Sequence, residues 1–90
     1  MNEPRAKFTH AEIRDWMMTY LSQLLGIDRA EVDPTQSFEL YGLDSSAAVG
    51  ISGDLEDLLG VDFETSLVYD YPTIDALVEH LVSRKLVTPA

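Results

Sequence analysis

The residues best placed to do chemistry lie together in Tyr41-Gly42-Leu43-Asp44-Ser45-Ser46-Ala47. Asp44 has the side chain of a helix N-cap. Ser45 then falls at the first helical position, with its hydroxyl at the positive end of the helix dipole. Gly42 permits a tight approach to that helix. A phosphate on the Ser45 oxygen meets free backbone N–H groups and a favourable field. The arrangement suits a phosphodiester that roots a flexible arm. The same residues also serve as plain capping residues, and composition alone leaves both readings open. A nucleophilic serine fits less well: no base accompanies Ser45, and His10 and His80 belong to other helices. Those two histidines also lack ligand partners nearby, no calcium-loop spacing is present, and there is no cysteine. No metal site is expected.

The elements that must position Ser45 can be read from apolar spacing. Thr9-His10-Ala11-Glu12 reads as a capping box, with Phe8 and Ile13 at the hydrophobic-staple positions. Ile13, Trp16, Met17, Tyr20, Leu21, Leu24 and Leu25 follow at spacings of three and four, which predicts a helix over about 10–25. Gly26 ends it. Residues 26–43 form a long connection with an Asp33-Pro34 turn signal and scattered apolar residues that favour a loop pinned by packing. A second helix starts after Asp44, buries Ala48, Ile51, Leu55, Leu58 and Leu59, and ends at Gly60. Leu67, Val68 and Tyr69 suggest one helical turn. Pro72-Thr73 opens a last helix with Ile74, Leu77, Val78, Leu81 and Val82 on one face. No segment alternates like a strand. The expected fold is all-α: a bundle of three main helices and one short one, with a long first loop. Residues 1–8 read as an N-terminal tail, 9–86 as the domain and 87–90 as a C-terminal tail. Leu24-Leu25-Gly26-Ile27-Asp28 and Leu58-Leu59-Gly60-Val61-Asp62 read as reuse of one helix ending.

Composition narrows the function classes. At 90 residues, with 46% hydrophobic and 24% charged side chains, the sequence is one small globular domain with little room for a walled active site. Without cysteine, any thioester chemistry needs a thiol brought from outside. Residues 1–30 carry four acids and four bases; residues 31–90 carry twelve acids against Arg84 and Lys85. A surface this acidic repels nucleic acid and steers toward basic protein partners. No apolar run reaches the ~20 residues of a membrane span, and the first residues lack a signal-peptide core. A cytoplasmic monomer without membrane or nucleic-acid partners is expected.

Gly42-Leu43-Asp44-Ser45 resembles the Gly-x-Asp-Ser core of acyl carrier proteins. Val68-Tyr69-Asp70-Tyr71-Pro72-Thr73 resembles the Phe-Asp-Tyr-Pro-Thr segment of carrier domains in modular polyketide synthases, and it stands at the family spacing before the final helix. The resemblance covers roughly residues 9–86. It implies an acyl-carrier-like four-helix bundle in which Ser45 receives 4′-phosphopantetheine, flanked by Asp44 and Gly42. It implies no catalysis by the domain itself. The partners it implies are a phosphopantetheinyl transferase, an acyl-loading enzyme (an acyltransferase or a fatty acyl-AMP ligase) and a ketosynthase or other synthase domain of polyketide or lipid biosynthesis. The stretch at 48–56 is similar to carrier domains that accept fatty acids from fatty acyl-AMP ligases. A peptidyl or aryl carrier of a nonribosomal peptide synthetase is the nearest alternative, although Asp44 stands where that family typically has His. An unmodified helical interaction domain is the other.

The sequence departs from the family beside the serine. Ser46 stands where an apolar residue is usual, and Gly50 where polyketide carriers commonly have Glu. Ser46, Val49, Gly50, Gly53 and Asp57 share one face of the second helix, with Asp54 beside them. This is the expected docking face for a partner that packs closely, set against neutral drift on an exposed surface. Around it lie Glu39, Asp44, Glu56, Asp62 and Glu64. Such exposed charges are individually weak but together raise encounter rates with basic partners.

Overall fold

The computed structural model describes residues 8–89. Four α-helices form a bundle: α1, His10–Leu25; α2, Ser45–Leu59; α3, Leu67–Asp70; and α4, Ile74–Ser83. α1 packs along α4, and α2 packs against α3. No strand forms among the described residues; one isolated parallel bridge joins Thr9 and Thr88.

Local signals set each helix end. At α1 the Glu12 N–H donates to Thr9 Oγ1 at 3.1 Å, and the Thr9 N–H donates to Glu12 Oε1 at 2.9 Å. This reciprocal box satisfies two donors that a helix start otherwise leaves unpaired. Ile13, Met17 and Leu21 then recur every four residues and are fully buried. Gly26 and Gly60 end α1 and α2 in the same left-handed conformation, with φ of 67° and 71°. The repeated string is therefore one helix ending used twice. Thr73 caps α4 by accepting the Ala76 N–H at 3.0 Å. Beyond α4, the Leu86 N–H reaches the Leu81 carbonyl and the Lys85 N–H reaches that of Val82. This is a Schellman ending in which Lys85, at φ 61°, holds the position that favours glycine.

The long connection is pinned. Val32 and Phe38 are buried in the core. Two short 3-10 helices, Arg29–Glu31 and Phe38–Tyr41, break up the segment; apolar spacing gave no sign of either, because three or four residues are too few to show a period. Arg29 bonds the Asp15 carboxylate, the Asp15 carbonyl and Thr19 Oγ1. The Asp33 N–H donates to the Tyr41 hydroxyl oxygen at 2.6 Å, and that hydroxyl donates to the Asp33 carbonyl at 2.9 Å. The Phe38 N–H reaches the Pro72 carbonyl and the Asp75 N–H reaches that of Pro34. The loop is thus bonded to the α3–α4 junction and to the first turn of α4.

The packed unit runs past residue 86. Val87, read from sequence as tail, is 1% exposed. The Thr88 N–H donates to the Phe8 carbonyl, and the His10 N–H to that of Thr88. An isolated apolar residue after a helix carries no periodicity, so its burial was not legible in the sequence.

Candidate functional site

The loop-to-helix transition places Ser45. Gly42 ends the 3-10 helix Phe38–Tyr41 at φ 79°, where its N–H bonds the Glu39 carbonyl. An L side chain there is strained, so Gly42 is what turns the chain toward α2. Asp44 follows in extended conformation as N-cap, and its Oδ1 accepts the Ala47 N–H at 3.0 Å. Ser45 is the first residue of the fifteen-residue helix and is exposed. Its hydroxyl stands at the end where backbone N–H groups lack partners within the helix. One of these, the Ala47 N–H, is taken by Asp44.

Beside Ser45 opens a cavity of about 160 Å³. Phe38, Leu43, Ala48, Val68 and Pro72 give it apolar walls, and Glu39, Asp44 and Ser45 line it with polar groups. Tyr69, 61% exposed, stands at its α3 side. The two motifs singled out in the sequence therefore meet across one cleft. No histidine, lysine or arginine lines it. His10 pairs with Glu79 at 3.0 Å, and His80 stacks on Tyr71 with ring centroids 3.9 Å apart. Neither serves Ser45 as a base.

The expected docking face is mixed in character. Ser46, Val49, Gly50, Asp54 and Asp57 are exposed, and Gly53 is half-buried. A Cβ on Gly53 would meet nothing within 4 Å; one on Gly50 would touch only the Tyr20 hydroxyl, at 3.9 Å. Neither glycine is required by packing within this chain. Asp54 is not idle, since Tyr20 bonds it. Glu56 accepts the Phe63 N–H at 2.7 Å and so holds the α2–α3 connection. Sequence reasoning missed Ser52. It is 4% exposed, and its hydroxyl has no hydrogen-bond partner. Its position between Ile51 and Leu55 on the buried stripe was the available signal.

Comparison with known proteins agrees with this geometry. The family model described as the phosphopantetheine attachment site matches residues 15–81. A phenolphthiocerol/phthiocerol polyketide synthase subunit of Mycobacterium tuberculosis is 37% identical over 73 residues; the match covers 81% of this chain, which spans only 4% of that synthase's length. The acyl carrier protein TtuC of Teredinibacter turnerae is 29% identical, with 84% of this chain and 87% of that protein covered. Among solved structures, an acyl carrier protein from Anabaena superposes with a TM-score of 0.81 at 31% identity, covering 96% and 97% of the two chains. A free-standing peptidyl carrier protein from Acinetobacter baumannii superposes with a TM-score of 0.78 at 42% identity, covering 84% and 95%.

An all-helical bundle with a capped, exposed serine beside a cleft is the fold of the carrier proteins on which this chain superposes. The chain belongs to the phosphopantetheine attachment-site family, and it is homologous to the acyl carrier domains of polyketide synthases. Its cofactor is 4′-phosphopantetheine.

Proposed function

We propose that Ser45 bears the 4′-phosphopantetheine arm and that the chain presents acyl intermediates to the enzymes of a polyketide or lipid synthase. The observation that carries this reading is the exposed Ser45 hydroxyl at the first residue of α2, fixed by the Asp44 cap and the Gly42 turn. The residues fit the group. The helix start offers N–H donors to a phosphodiester, and the cavity beside it has apolar walls. When bound, the arm supplies the thiol that a chain without cysteine lacks, and acyl groups are held on it as thioesters.

Carrier domains of this family are non-catalytic. In this chain Ser45 is the acceptor of the modification, and the incoming transferase supplies the base. Carrier domains of polyketide synthases meet phosphopantetheinyl transferases and synthase enzymes. Here the acids Glu39, Asp44, Asp57, Asp62, Glu64 and Asp70 are exposed around the α2–α3 side, which favours basic docking patches on a transferase, an acyltransferase or fatty acyl-AMP ligase, and a ketosynthase.

Incubation with coenzyme A and a broad-specificity phosphopantetheinyl transferase tests the assignment by intact mass. Wild type gains one phosphopantetheinyl group and Ser45→Ala gains none. No gain on wild type, or an equal gain on Ser45→Ala, overturns it. The 42% identity to a peptidyl carrier protein favours a second reading, an aminoacyl cargo. Adenylating enzymes for fatty, amino and aryl acids, offered to the modified protein in turn, separate the two.

A further inference from the structure

Residues 8–89 contain four lysine or arginine side chains, Arg14, Arg29, Arg84 and Lys85. Two of the four, Arg14 and Arg29, line one groove of about 280 Å³ where α1 meets the first 3-10 helix, together with His10, Ala11, Asp15 and Met18. Ala11, Arg14, Asp15 and Met18 are three or four residues apart and so share one face of α1. The groove has no lining residue in common with the cavity beside Ser45. Its cations are held in place. Asp75 of α4 takes Arg14 Nε at 2.8 Å, and Glu79 of α4 pairs with His10 Nε2 at 3.0 Å. Arg29 is tied to the Asp15 carboxylate and carbonyl and to Thr19 Oγ1. Asp75 and Glu79 do not line the groove, so Asp15 is the one acid in its wall. The bond to Asp75 engages Nε of Arg14, and its two Nη groups have no partner among the described residues. A guanidinium fixed in this way offers a planar fork already set for a carboxylate.

The net charge of −10 repels an anion at low salt. At physiological ionic strength, charges beyond about 8 Å are largely screened, so the groove's own cations decide what binds there. A nucleic acid brings an unbroken line of phosphates, which two arginines among many acids do not match. A peptide spaces its carboxylates and carries apolar side chains between them, which suit Ala11 and the adaptable thioether of Met18. We infer that this groove is a second docking surface, which takes an acidic, partly apolar segment of a partner protein: a partner carboxylate sits on the Arg14 fork and an apolar side chain on Met18. The acids around α2 select basic partners, and the groove selects the opposite sign. A partner can therefore be held at α1 while an enzyme visits Ser45. The inference does not depend on the arm.

The probe is a synthetic peptide of Glu-Glu-Leu-Leu repeats, with the same peptide carrying Gln for Glu as its control. Each is titrated into the full 90-residue chain at physiological salt, and amide shifts are followed by NMR. The Glu peptide is expected to bind this acidic protein, with shifts centred on Ala11, Arg14, Asp15 and Met18, and the Gln peptide to bind more weakly. Arg14→Gln should weaken the Glu peptide about two- to fivefold, the range of one exposed ion pair. Arg14→Lys, which keeps the charge and loses the fork, should fall between that variant and wild type. Lys85→Gln removes an exposed cation outside the groove and should change nothing. Absence of groove shifts with the Glu peptide, equal binding of the Gln peptide, or equal weakening by Lys85→Gln overturns the inference. The same shifts from inorganic phosphate at matched charge reduce the groove to a simple anion site and overturn it too. Sedimentation that shows self-association abolished by Arg14→Gln gives the groove to a second copy of this chain, and that also overturns it.

Discussion

The Tyr20 hydroxyl donates to Asp54 Oδ2 at 2.5 Å and so ties α1 to the outer face of α2. The same hydroxyl lies 3.9 Å from where a Cβ on Gly50 would stand. Gly50 and Asp54 are one turn apart, so Tyr20 rests across that turn. Burial, and then the Asp54 carboxylate, push the Tyr20 hydroxyl up from 10.0 to about 12. The fold therefore favours the protonated phenol. That contribution is whole below pH 10 and is lost as pH rises toward 12. Urea denaturation across this range should show wild type losing stability more steeply than Tyr20→Phe. Parallel slopes for the two proteins contradict the coupling.

The two interior glycines of α2 give a second prediction. Gly50→Ala and Gly53→Ala should each stabilise the fold by about 1 kcal/mol, the helix-propensity difference, because neither new methyl group meets an obstacle. Loading by the cognate enzyme should slow at the same time, since the methyl groups raise a surface proposed to receive a partner closely. Thermal melts and loading kinetics on the same variants check both halves. Unchanged kinetics in the stabilised variants would remove the docking role from Gly50 and Gly53.

Tyr41 offers a test of how the first loop is held. Its hydroxyl both donates to and accepts from the Asp33 backbone. Tyr41→Phe deletes both bonds and keeps the ring. The expected cost is about 1–2 kcal/mol in denaturant unfolding. Amide exchange at residues 33 and 41–44 should rise more than exchange in α4.

The end of α4 is suboptimal in one respect. Lys85 adopts φ 61°, a conformation that strains an L side chain by roughly 1–2 kcal/mol. Lys85→Gly relieves that strain, although glycine has more freedom to lose on folding. A net gain of up to about 1 kcal/mol is expected, read as a rise in Tm.

His80 provides a pH prediction of the opposite sign. Burial, and then the nearby Arg84, hold its imidazole below the ordinary 6.5, with Asp70 opposing them. The fold disfavours the charged ring that stacks on Tyr71. Its contribution to stability is present above pH 6.5 and fades as pH falls through the lowered value. An NMR titration should place the His80 midpoint below that of an unstructured peptide.

Much of this molecule is legible in the residues alone. Periodicity and caps locate the three long helices, because Thr9, Asp44 and Thr73 each carry an oxygen that bonds a backbone N–H three residues on, and Gly26 and Gly60 permit the left-handed exit; the single turn of α3 has no side-chain cap and shows only as the run Leu67, Val68 and Tyr69. Asp44 and Gly42 mark the turn that exposes Ser45 for the same reason. What sequence does not show is pairing across the fold. Asp54 and Glu56 read as free acids on an acidic face, yet one holds Tyr20 and the other holds the Phe63 N–H. Both bonds depend on elements brought together only by packing. Ser52 escaped notice for a related reason: an isolated serine in a helix reads as a surface residue, and only its neighbours' azimuth reveals that it faces inward.

The bridge between Thr9 and Thr88 has a mechanical consequence. The two segments run parallel, with the N-terminal side of one and the C-terminal side of the other pointing in opposite directions. Tension applied through the two ends therefore loads the hydrogen bonds from His10 to Thr88 and from Thr88 to Phe8 in shear, both at once, rather than peeling them one after the other. These two bonds act as a tether across the base of the bundle, and a pull on the chain is borne there before it reaches the turn that presents Ser45.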